Sequence, residues 1–423
     1  MTGVTSKTNN SMMFKRIPFI QTFLNKRGLP VIPVNASDVE LLSSPSQFYD
    51  YLLQRLEIFQ TRATLSALYL GTGPKESHLV EILKNKLTHE PAKKVSVLLD
   101  HHRAQRLNSA SESSVTLLEP LSTFTNFGLC LMKPRDEVSI LDKVQKLNEL
   151  QSTYHAKFCI FDQDVLITGA NLSDIYFENR QDRYMVIRNS LSLSSYLVDL
   201  TINFNKEQPL ARSVQNLNLK YVSLSNTSAD QSDTYVIPLV QHKPSHLTSI
   251  DDFLGIIAGT SSTADIHMST GYFNPGSIVS SLNFRSILVP SEKSNGFYGG
   301  NGLLRHIPRL YTQIYRSYNE HHPECDVHLY DKPGWSFHAK GIWINYHGGP
   351  YLHIVGSSNF NLRSSERDLE FQLVIVTANQ RLIDRFEDER EKLWSNSSRL
   401  NIENIPLHDK RYEALLPFLR SFM

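Results

Sequence analysis

At 423 residues, the chain is long enough for two domains with separate hydrophobic cores, since single cores rarely exceed about 250–300 residues. Its 43 basic and 42 acidic side chains give a net charge of +1, which argues against a protein that coats nucleic acid. The three cysteines form no CxxC pair, and no apolar run reaches the roughly 18 residues of a transmembrane helix; a disulfide framework, a cysteine zinc site and an integral helical membrane protein are therefore disfavoured.

The first 37 residues contain no Asp or Glu but carry five Lys and Arg side chains among serines and apolar residues. This composition is typical of a mitochondrial transit peptide, and it also fits a flexible basic tail. Composition alone leaves both interpretations open. We therefore expect residues 1–37 to lie outside the folded domains.

From residue 38 onward, helical and strand patterns alternate. Residues 44–63 and 75–89 show helical spacing of apolar residues, whereas residues 65–73 and 95–100 have the pattern of buried strands that end in turns. This alternation favours an α/β fold in which helices cover a sheet.

The second half repeats this plan, because residues 264–276 again predict a strand ending in a glycine-containing turn before a helix. An internal duplication predicts two similar domains. We place the first domain at residues 38–206 and the second at residues 207–423. The boundary lies at the start of a polar stretch, around residues 208–232, whose composition fits either a linker or a long loop of the second half.

The tripeptide His-Ala-Lys occurs twice, once from His155 to Lys157 and once from His338 to Lys340. Alternate residues of a strand project from the same face, so each histidine stands beside its lysine. Two such pairs facing each other across a pseudo-twofold cleft would form a preorganised anion site between the domains.

The two tripeptides are followed by matching polar residues. Asn171 precedes Asp182 by eleven positions, and Asn359 precedes Glu370 by the same spacing. The amides can donate to an anion, while the carboxylates can accept a proton from one histidine nitrogen and fix its tautomer. A single His-x-Lys is usually structural, but the repeated frame favours attack on a phosphodiester through a histidine.

The first copy, HAKFCIFD, resembles the HxKxxxxD signature of the phospholipase D superfamily, and the second, HAKGIWIN, departs from it only at Asn345. Asp162 lies an odd number of residues after His155, so we expect a supporting role that Asn345 can replace. The segments ITGANLSDIYFENRQDRY and IVGSSNFNLRSSERDLEFQLVIVT resemble one branch of that superfamily, the mitochondrial phosphatidylglycerophosphate synthases of eukaryotes. The resemblance covers about residues 67–377.

The resemblance implies two phospholipase D-like domains that react CDP-diacylglycerol with glycerol 3-phosphate, giving phosphatidylglycerophosphate and CMP. His155 would be the nucleophile and His338 the general acid and then base, with Lys157 and Lys340 neutralising phosphoryl oxygens. No cofactor and no metal is expected, since no metal-ligand spacing appears. The resemblance further implies a peripheral protein on the matrix side of the mitochondrial inner membrane, without a nucleic-acid partner.

Binding of an anionic acceptor needs further cations near the site, and guanidinium groups suit a phosphate monoester. Surface salt bridges are the alternative role for these arginines. Tyr272, at the expected cleft mouth, and Ser357 are further candidates for substrate binding. The candidate arginines are Arg180, Arg183, Arg363 and Arg367.

Rival functions within the superfamily differ in the acceptor. Water would make the protein a phosphodiesterase, and serine or a lipid would make it a different phosphatidyltransferase. A scaffold without catalysis is disfavoured because both His-Lys pairs are intact. The sequence sets no oligomeric state.

Overall fold

The computed structural model describes residues 12–133, 152–204, 209–225 and 232–405. The expected domain boundary between residues 206 and 207 lies outside these ranges. Within them, the chain forms two large sheets covered by helices, as the alternating pattern predicts.

The first half of the chain contributes nine strands and eight helices within the described residues. The strands are β1 (Ile32–Pro33), β2 (Val39–Leu42), β3 (Arg62–Ser66), β4 (Lys94–Asp100), β5 (Phe127–Met132), β6 (Phe158–Phe161), β7 (Asp164–Thr168), β8 (Arg180–Gln181) and β9 (Tyr184–Ile187). The helices are α1 (Met12–Lys15), α2 (Pro18–Arg27), α3 (Pro45–Ile58), α4 (Pro74–His89), α5 (His101–Ala104), α6 (Ser114–Leu118), α7 (Asp174–Glu178) and α8 (Leu191–Phe204).

The second half contains ten strands and six helices in its described part. The strands are β10 (Thr234–His242), β11 (Leu247–Thr248), β12 (Ala264–Ser269), β13 (Ser286–Pro290), β14 (Asp326–Tyr330), β15 (Ser336–Phe337), β16 (Gly341–Tyr346), β17 (Tyr351–Gly356), β18 (Glu370–Thr377) and β19 (Ser397–Arg399). The helices are α9 (Leu210–Ser225), α10 (Ser249–Ala258), α11 (Ser277–Ser280), α12 (Ile307–His321), α13 (Leu362–Glu366) and α14 (Gln380–Trp394).

The two large sheets share one strand order. The first runs β2-β9-β7-β6-β3-β4-β5, and the second contains the equivalent run β10-β18-β17-β16-β12-β13-β14, extended at its ends by β1 and β19. In each sheet three neighbouring strands are parallel, β3-β4-β5 and β12-β13-β14, and the other pairs of this run are antiparallel. The duplication inferred from the sequence therefore extends to every strand of the shared core.

The two halves meet through short backbone pairings next to the histidines. β8 pairs in parallel with β15, and the N–H of His338 donates to the carbonyl of Gln181 at 2.8 Å. In the equivalent place, the N–H of His155 donates to the carbonyl of Leu369, also at 2.8 Å. Each histidine is thus anchored by backbone of the opposite half, which gives the interface its pseudo-twofold character.

Residues 12–37, the described part of the N-terminal segment, differ from the expectation that residues 1–37 lie outside both domains. β1 pairs with β10, and α2 packs in the core beneath the second sheet. Phe14, Ile17 and Ile20 are buried there, and the ring of Phe23 contacts that of Phe253. The segment is basic, but its apolar residues also have helical spacing, and this spacing lets them pack against the second sheet.

Among the residues that the structure describes, no helix combines the length and the hydropathy that a transmembrane span requires.

Candidate active site

The two His-Ala-Lys segments lead into central strands of the two sheets. His155 and Lys157 precede β6, and His338 and Lys340 precede β16. All four residues are buried. Each lysine Nζ donates to the backbone carbonyl of the histidine two residues before it, so each ammonium group is held beside its own histidine.

Each histidine is paired with the carboxylate of the opposite half. Nδ1 of His155 lies 2.9 Å from Oε2 of Glu370, and Nδ1 of His338 lies 2.6 Å from Oδ2 of Asp182. When Nδ1–H donates to a carboxylate, Nε2 carries the reactive lone pair. The two acids suggested by the sequence therefore contact the histidines, with the partners exchanged between the halves.

Glu370 is held as an anion by several donors. The hydroxyls of Ser357 and Ser364 both donate to its carboxylate, in addition to the bond from His155. Burial alone would raise the pKa of Glu370, but the neighbouring His155 and Lys157 lower it to about 2. A carboxylate that stays charged can stabilise an imidazolium formed on His155 during a reaction.

The second pair is buried more deeply. The backbone N–H of Arg183 donates to Asp182 at 2.8 Å, and Nζ of Lys340 lies 3.6 Å from it. Burial raises the pKa of Asp182, against the charge of Lys340. Burial also lowers the pKa of His338 well below its ordinary value, with Lys340 and Arg180 acting in the same direction. Burial and these two cations therefore favour the neutral imidazole of His338 over its charged form.

The two lysines lie in one shared electrostatic environment. Burial lowers the pKa of Lys157 to about 8 and that of Lys340 to about 7. Asp182 and Glu370, one from each half, oppose this shift at both lysines. A phosphate entering the site favours the charged form of both lysines, because opposite charges at short range stabilise each other.

The two asparagines lie in equivalent places, and the side-chain oxygen of each lacks a hydrogen-bond donor among the described residues. Oδ1 of Asn171 and Oδ1 of Asn359 are buried and accept no hydrogen bond from the residues that the structure describes. Nδ2 of Asn171 donates to the hydroxyl of Tyr176 at 3.2 Å. Buried polar atoms normally have partners, and an amide oxygen accepts, so a substrate hydroxyl that donates here would satisfy these two oxygens.

Arg180 is buried beside His338 without an acidic partner among the described residues. Its guanidinium donates to the hydroxyl of Tyr272 at 2.8 Å and lies 4.8 Å from the ring centre of Tyr176, while Nε has no partner there. A side chain at Gly296 would collide with this guanidinium. Arg180 and Tyr272 therefore lie together next to His338, since the ring centroids of Tyr272 and His338 are 5.6 Å apart.

Arg183, in contrast, has no capacity left for a substrate. It is 1% exposed and donates to Glu389 at 2.6 and 2.9 Å, to two backbone carbonyls, one of them that of Lys340, and to His353. Its guanidinium also stacks on the ring of Trp343 at 4.1 Å. The expectation of a substrate role is corrected, because these contacts make Arg183 a structural support of the Lys340 backbone.

Arg363 and Ser357 also support the site instead of facing it. Nε of Arg363 donates to Asp368 at 2.8 Å, and the same carboxylate accepts from the backbone N–H of Thr153 at 3.0 Å. Ser357 donates to Glu370 and accepts from the backbone N–H of Phe371 at 3.0 Å. The carbonyl of Arg367 accepts from Ser152, and its side chain is half-buried.

Asp162 stabilises the chain far from the histidines. Its carboxylate accepts from the backbone N–H groups of residues 60–62 at 2.7 to 3.1 Å, at the entrance to β3. It occupies the turn after β6, with a φ of 55°. Asn345, its counterpart, is exposed. This is the supporting position expected for the last residue of the signature.

Tyr176 and Ser364 also contact the site. A comparison of the two sequence repeats that uses only His, Lys, Asn and acidic residues does not identify them. The hydroxyl of Tyr176 lies 3.4 Å from Nε2 of His338, and Ser364 donates to Glu370. Their equal spacing is the sequence signal that could identify them, since each lies five residues after the asparagine of its own half.

The duplicated sheets form a phospholipase D-like fold, and the exchanged His–carboxylate pairs lie between its two halves. The fold is similar to that of phosphatidylserine synthase from Haemophilus influenzae, with a TM-score of 0.75 over 96% of this chain and 97% of that chain, at 19% identity. No protein-family model matches the chain.

By sequence, the chain is a homologue of proteins named CDP-diacylglycerol–glycerol-3-phosphate 3-phosphatidyltransferase. A probable enzyme of that name from Dictyostelium discoideum is 29% identical over 97% of this chain and 82% of its own length. The mitochondrial protein of that name from Homo sapiens is also 29% identical, over 87% of this chain and 79% of its own.

Proposed function

We propose that the protein transfers the phosphatidyl group of CDP-diacylglycerol to glycerol 3-phosphate through a phosphohistidine, giving phosphatidylglycerophosphate and CMP. The observation that carries this proposal is the exchanged pairing of His155 with Glu370 and of His338 with Asp182. This exchanged pairing brings two oriented imidazoles, and the lysines beside them, to one site. The names of the relatives supply the donor and the acceptor.

In the first displacement, Nε2 of His155 attacks the phosphatidyl phosphorus. A P–N bond forms, the P–O bond to CMP breaks, and CMP leaves with the bonding electrons. The imidazole then carries a positive charge, which Glu370 stabilises through Nδ1–H. Lys157 and Lys340 offset the charge on the phosphoryl oxygens.

In the second displacement, the acceptor hydroxyl attacks the same phosphorus. A P–O bond forms, the P–N bond breaks and its electrons return to His155, while the hydroxyl proton passes to Nε2 of His338. The neutral state of His338 suits this base role. Asp182 stabilises the imidazolium that results.

The decisive experiment incubates purified protein with CDP-diacylglycerol labelled in the phosphatidyl phosphorus. We expect one CMP per enzyme to be released without acceptor, continued CMP release that depends on glycerol 3-phosphate, and a labelled lipid carrying two phosphates. Phosphatidic acid formed with or without acceptor would instead show a phosphodiesterase using water, and would contradict the proposal.

A phosphatidyltransferase with another acceptor is the second candidate, and the fold similarity to a phosphatidylserine synthase favours it. Serine and glycerol 3-phosphate offered together distinguish the two functions. Preferential formation of phosphatidylserine would replace the acceptor named above without changing the donor chemistry.

Arg180 supports a phosphate-bearing acceptor, since it is a buried cation next to His338 without an acidic partner among the described residues. We expect Arg180→Lys to raise the KM for glycerol 3-phosphate about tenfold or more, because a lysine loses the planar fork of charge-assisted hydrogen bonds. Release of CMP in the absence of acceptor should change little. Arg188→Lys is the matched control, because the side chain of Arg188 is 40% exposed and pairs with Glu40. An unchanged KM for Arg180→Lys would remove this residue from the acceptor site.

We also propose that the protein works in the mitochondrion, peripherally on the matrix side of the inner membrane. The mitochondrial relatives and the lipid donor support this location. Exposed apolar side chains next to the site, Ile175 before Tyr176 and Tyr298 near Gly296, suit contact with a bilayer. In this proposal residues 38–206 and 207–423 form the two domains, and part of the N-terminal segment packs on the second.

A further inference from the structure

The two half-sites are not equivalent, although their backbones are. Tyr176 in α7 and Ser364 in α13 occupy matching positions, five residues after Asn171 and Asn359. Both side chains are buried, yet they contact different partners. A large phenol in one half and a small hydroxyl in the other must give the two histidines different surroundings.

On the side of His338, the phenol covers the reactive nitrogen. The hydroxyl of Tyr176 lies 3.4 Å from Nε2 of His338, and the two rings meet edge-on with centroids 5.2 Å apart. Asn171 donates into the phenol oxygen at 3.2 Å, so the phenol proton is left to donate to Nε2. Arg180 stacks on the phenol face and holds the ring in place.

On the side of His155, the equivalent hydroxyl points elsewhere. Ser364 donates to Glu370 at 2.7 Å and thereby supports the acid that orients His155. Within the described residues, no side chain is hydrogen-bonded to Nε2 of His155. The side chain of His155 is 11% exposed, against 4% for that of His338. Only His155 therefore presents an open nucleophilic nitrogen.

We propose that Tyr176 is a positioning residue that covers Nε2 of His338 until the acceptor hydroxyl takes the place of the phenol. This inference rests on the proposed function and adds an order of events to it. With His338 covered, His155 alone attacks in the first displacement. In the second, the acceptor hydroxyl occupies the position of the phenol oxygen, and its proton passes to Nε2 of His338 while the P–N bond to His155 breaks.

The distance between the hydroxyl of Tyr176 and Nε2 of His338 fits a contact that the acceptor can displace. Hydrogen bonds from a hydroxyl are usually about 2.7–2.8 Å long, so a separation of 3.4 Å marks a weak bond that an acceptor can displace. The phenol oxygen also marks a place where a hydroxyl can lie close to Nε2 and to Arg180, the cation proposed for the acceptor phosphate.

A test without substrate is modification by diethylpyrocarbonate, which reacts with an accessible, neutral imidazole nitrogen. Peptide mapping of the wild type should show faster modification of His155 than of His338. Tyr176→Phe should raise the rate at His338 severalfold. The matched control is Tyr51→Phe, since the hydroxyl of Tyr51 is buried without a partner in the described chain and its loss should leave both rates unchanged. An unchanged rate at His338 in Tyr176→Phe would overturn the proposed cover.

A second readout follows the phosphorus in single turnover. With labelled CDP-diacylglycerol and no acceptor, the wild type should carry the label on His155 alone, whereas Tyr176→Phe should carry part of it on His338. The same variant should release its first CMP at the wild-type rate but turn over more slowly with acceptor. Label on His338 in the wild type, or an equal loss in both steps, would refute the inference. A wild type that releases no CMP would instead refute the proposed function, and the modification rates would still decide whether Tyr176 covers His338.

Discussion

His155→Asn is expected to abolish formation of the phosphohistidine and to reduce turnover roughly 10⁴-fold or more, as removal of an enzyme nucleophile commonly does. Asparagine keeps a polar group of similar reach near Glu370 but has no nitrogen lone pair with which to attack phosphorus. The measurement is labelled phosphorus retained by denatured protein after mixing with CDP-diacylglycerol. No label should remain on the variant, and no CMP should be released.

The companion variant His338→Asn separates the two displacements. The nucleophile His155 is intact, so label should accumulate on the protein and decay slowly when glycerol 3-phosphate is added. His347→Asn is the control, since His347 is exposed on the turn after β16. Stable label on His338 in the His155→Asn protein would reverse the assigned roles.

The sequence predicts the architecture well because its signals are local and repeated. Alternating apolar patterns give the α/β fold, and the two copies of His-Ala-Lys reveal the duplication. The observed strand orders of the two sheets agree with that duplication in every core strand. The N-terminal segment is the exception, because composition does not show that Phe14 and Ile20 pack in the core beneath the second sheet.

The exchange of partners between the halves depends on long-range packing. The sequence frame places Asp182 and Glu370 with the histidines, but it does not state which acid meets which imidazole. The answer follows from the backbone bonds of Leu369 with residues 153 and 155, and from the pairing of β8 with β15. These contacts join segments that are far apart in the chain, so no local pattern reports them.

Arg180 and Arg183 also have roles that the sequence alone does not distinguish. Arg180 and Arg183 are three residues apart and have equal charge, yet one stacks on Tyr176 without an acidic partner in the described chain and the other is saturated by Glu389 and backbone carbonyls. Residue type alone gives both the same prediction. Their roles differ because β8 ends between them and turns the two side chains toward different neighbours.

Glu370→Gln is expected to lower the rate of the first displacement roughly 10³–10⁴-fold while leaving the fold intact. The amide can donate a hydrogen bond to Nδ1 of His155, which would place the ring proton on Nε2 and block its lone pair. The amide also fails to stabilise the imidazolium of the phosphohistidine. The measurement is the rate of the first CMP release in rapid-quench experiments, together with circular dichroism to confirm folding.

A change of pH should not restore the rate of the first displacement in Glu370→Gln. The carboxyl of Glu370 has a pKa of about 2, so it stays charged across the working range and sets no pH limit on the wild type. In Glu370→Gln no carboxylate returns at any pH, so the loss should persist at every pH tested. Asp182→Asn makes the contrast sharper, because Asp182 serves His338 and its loss should slow only the second displacement. Equal effects of both substitutions on the first CMP release would show that the two acids do not serve separate histidines in separate steps.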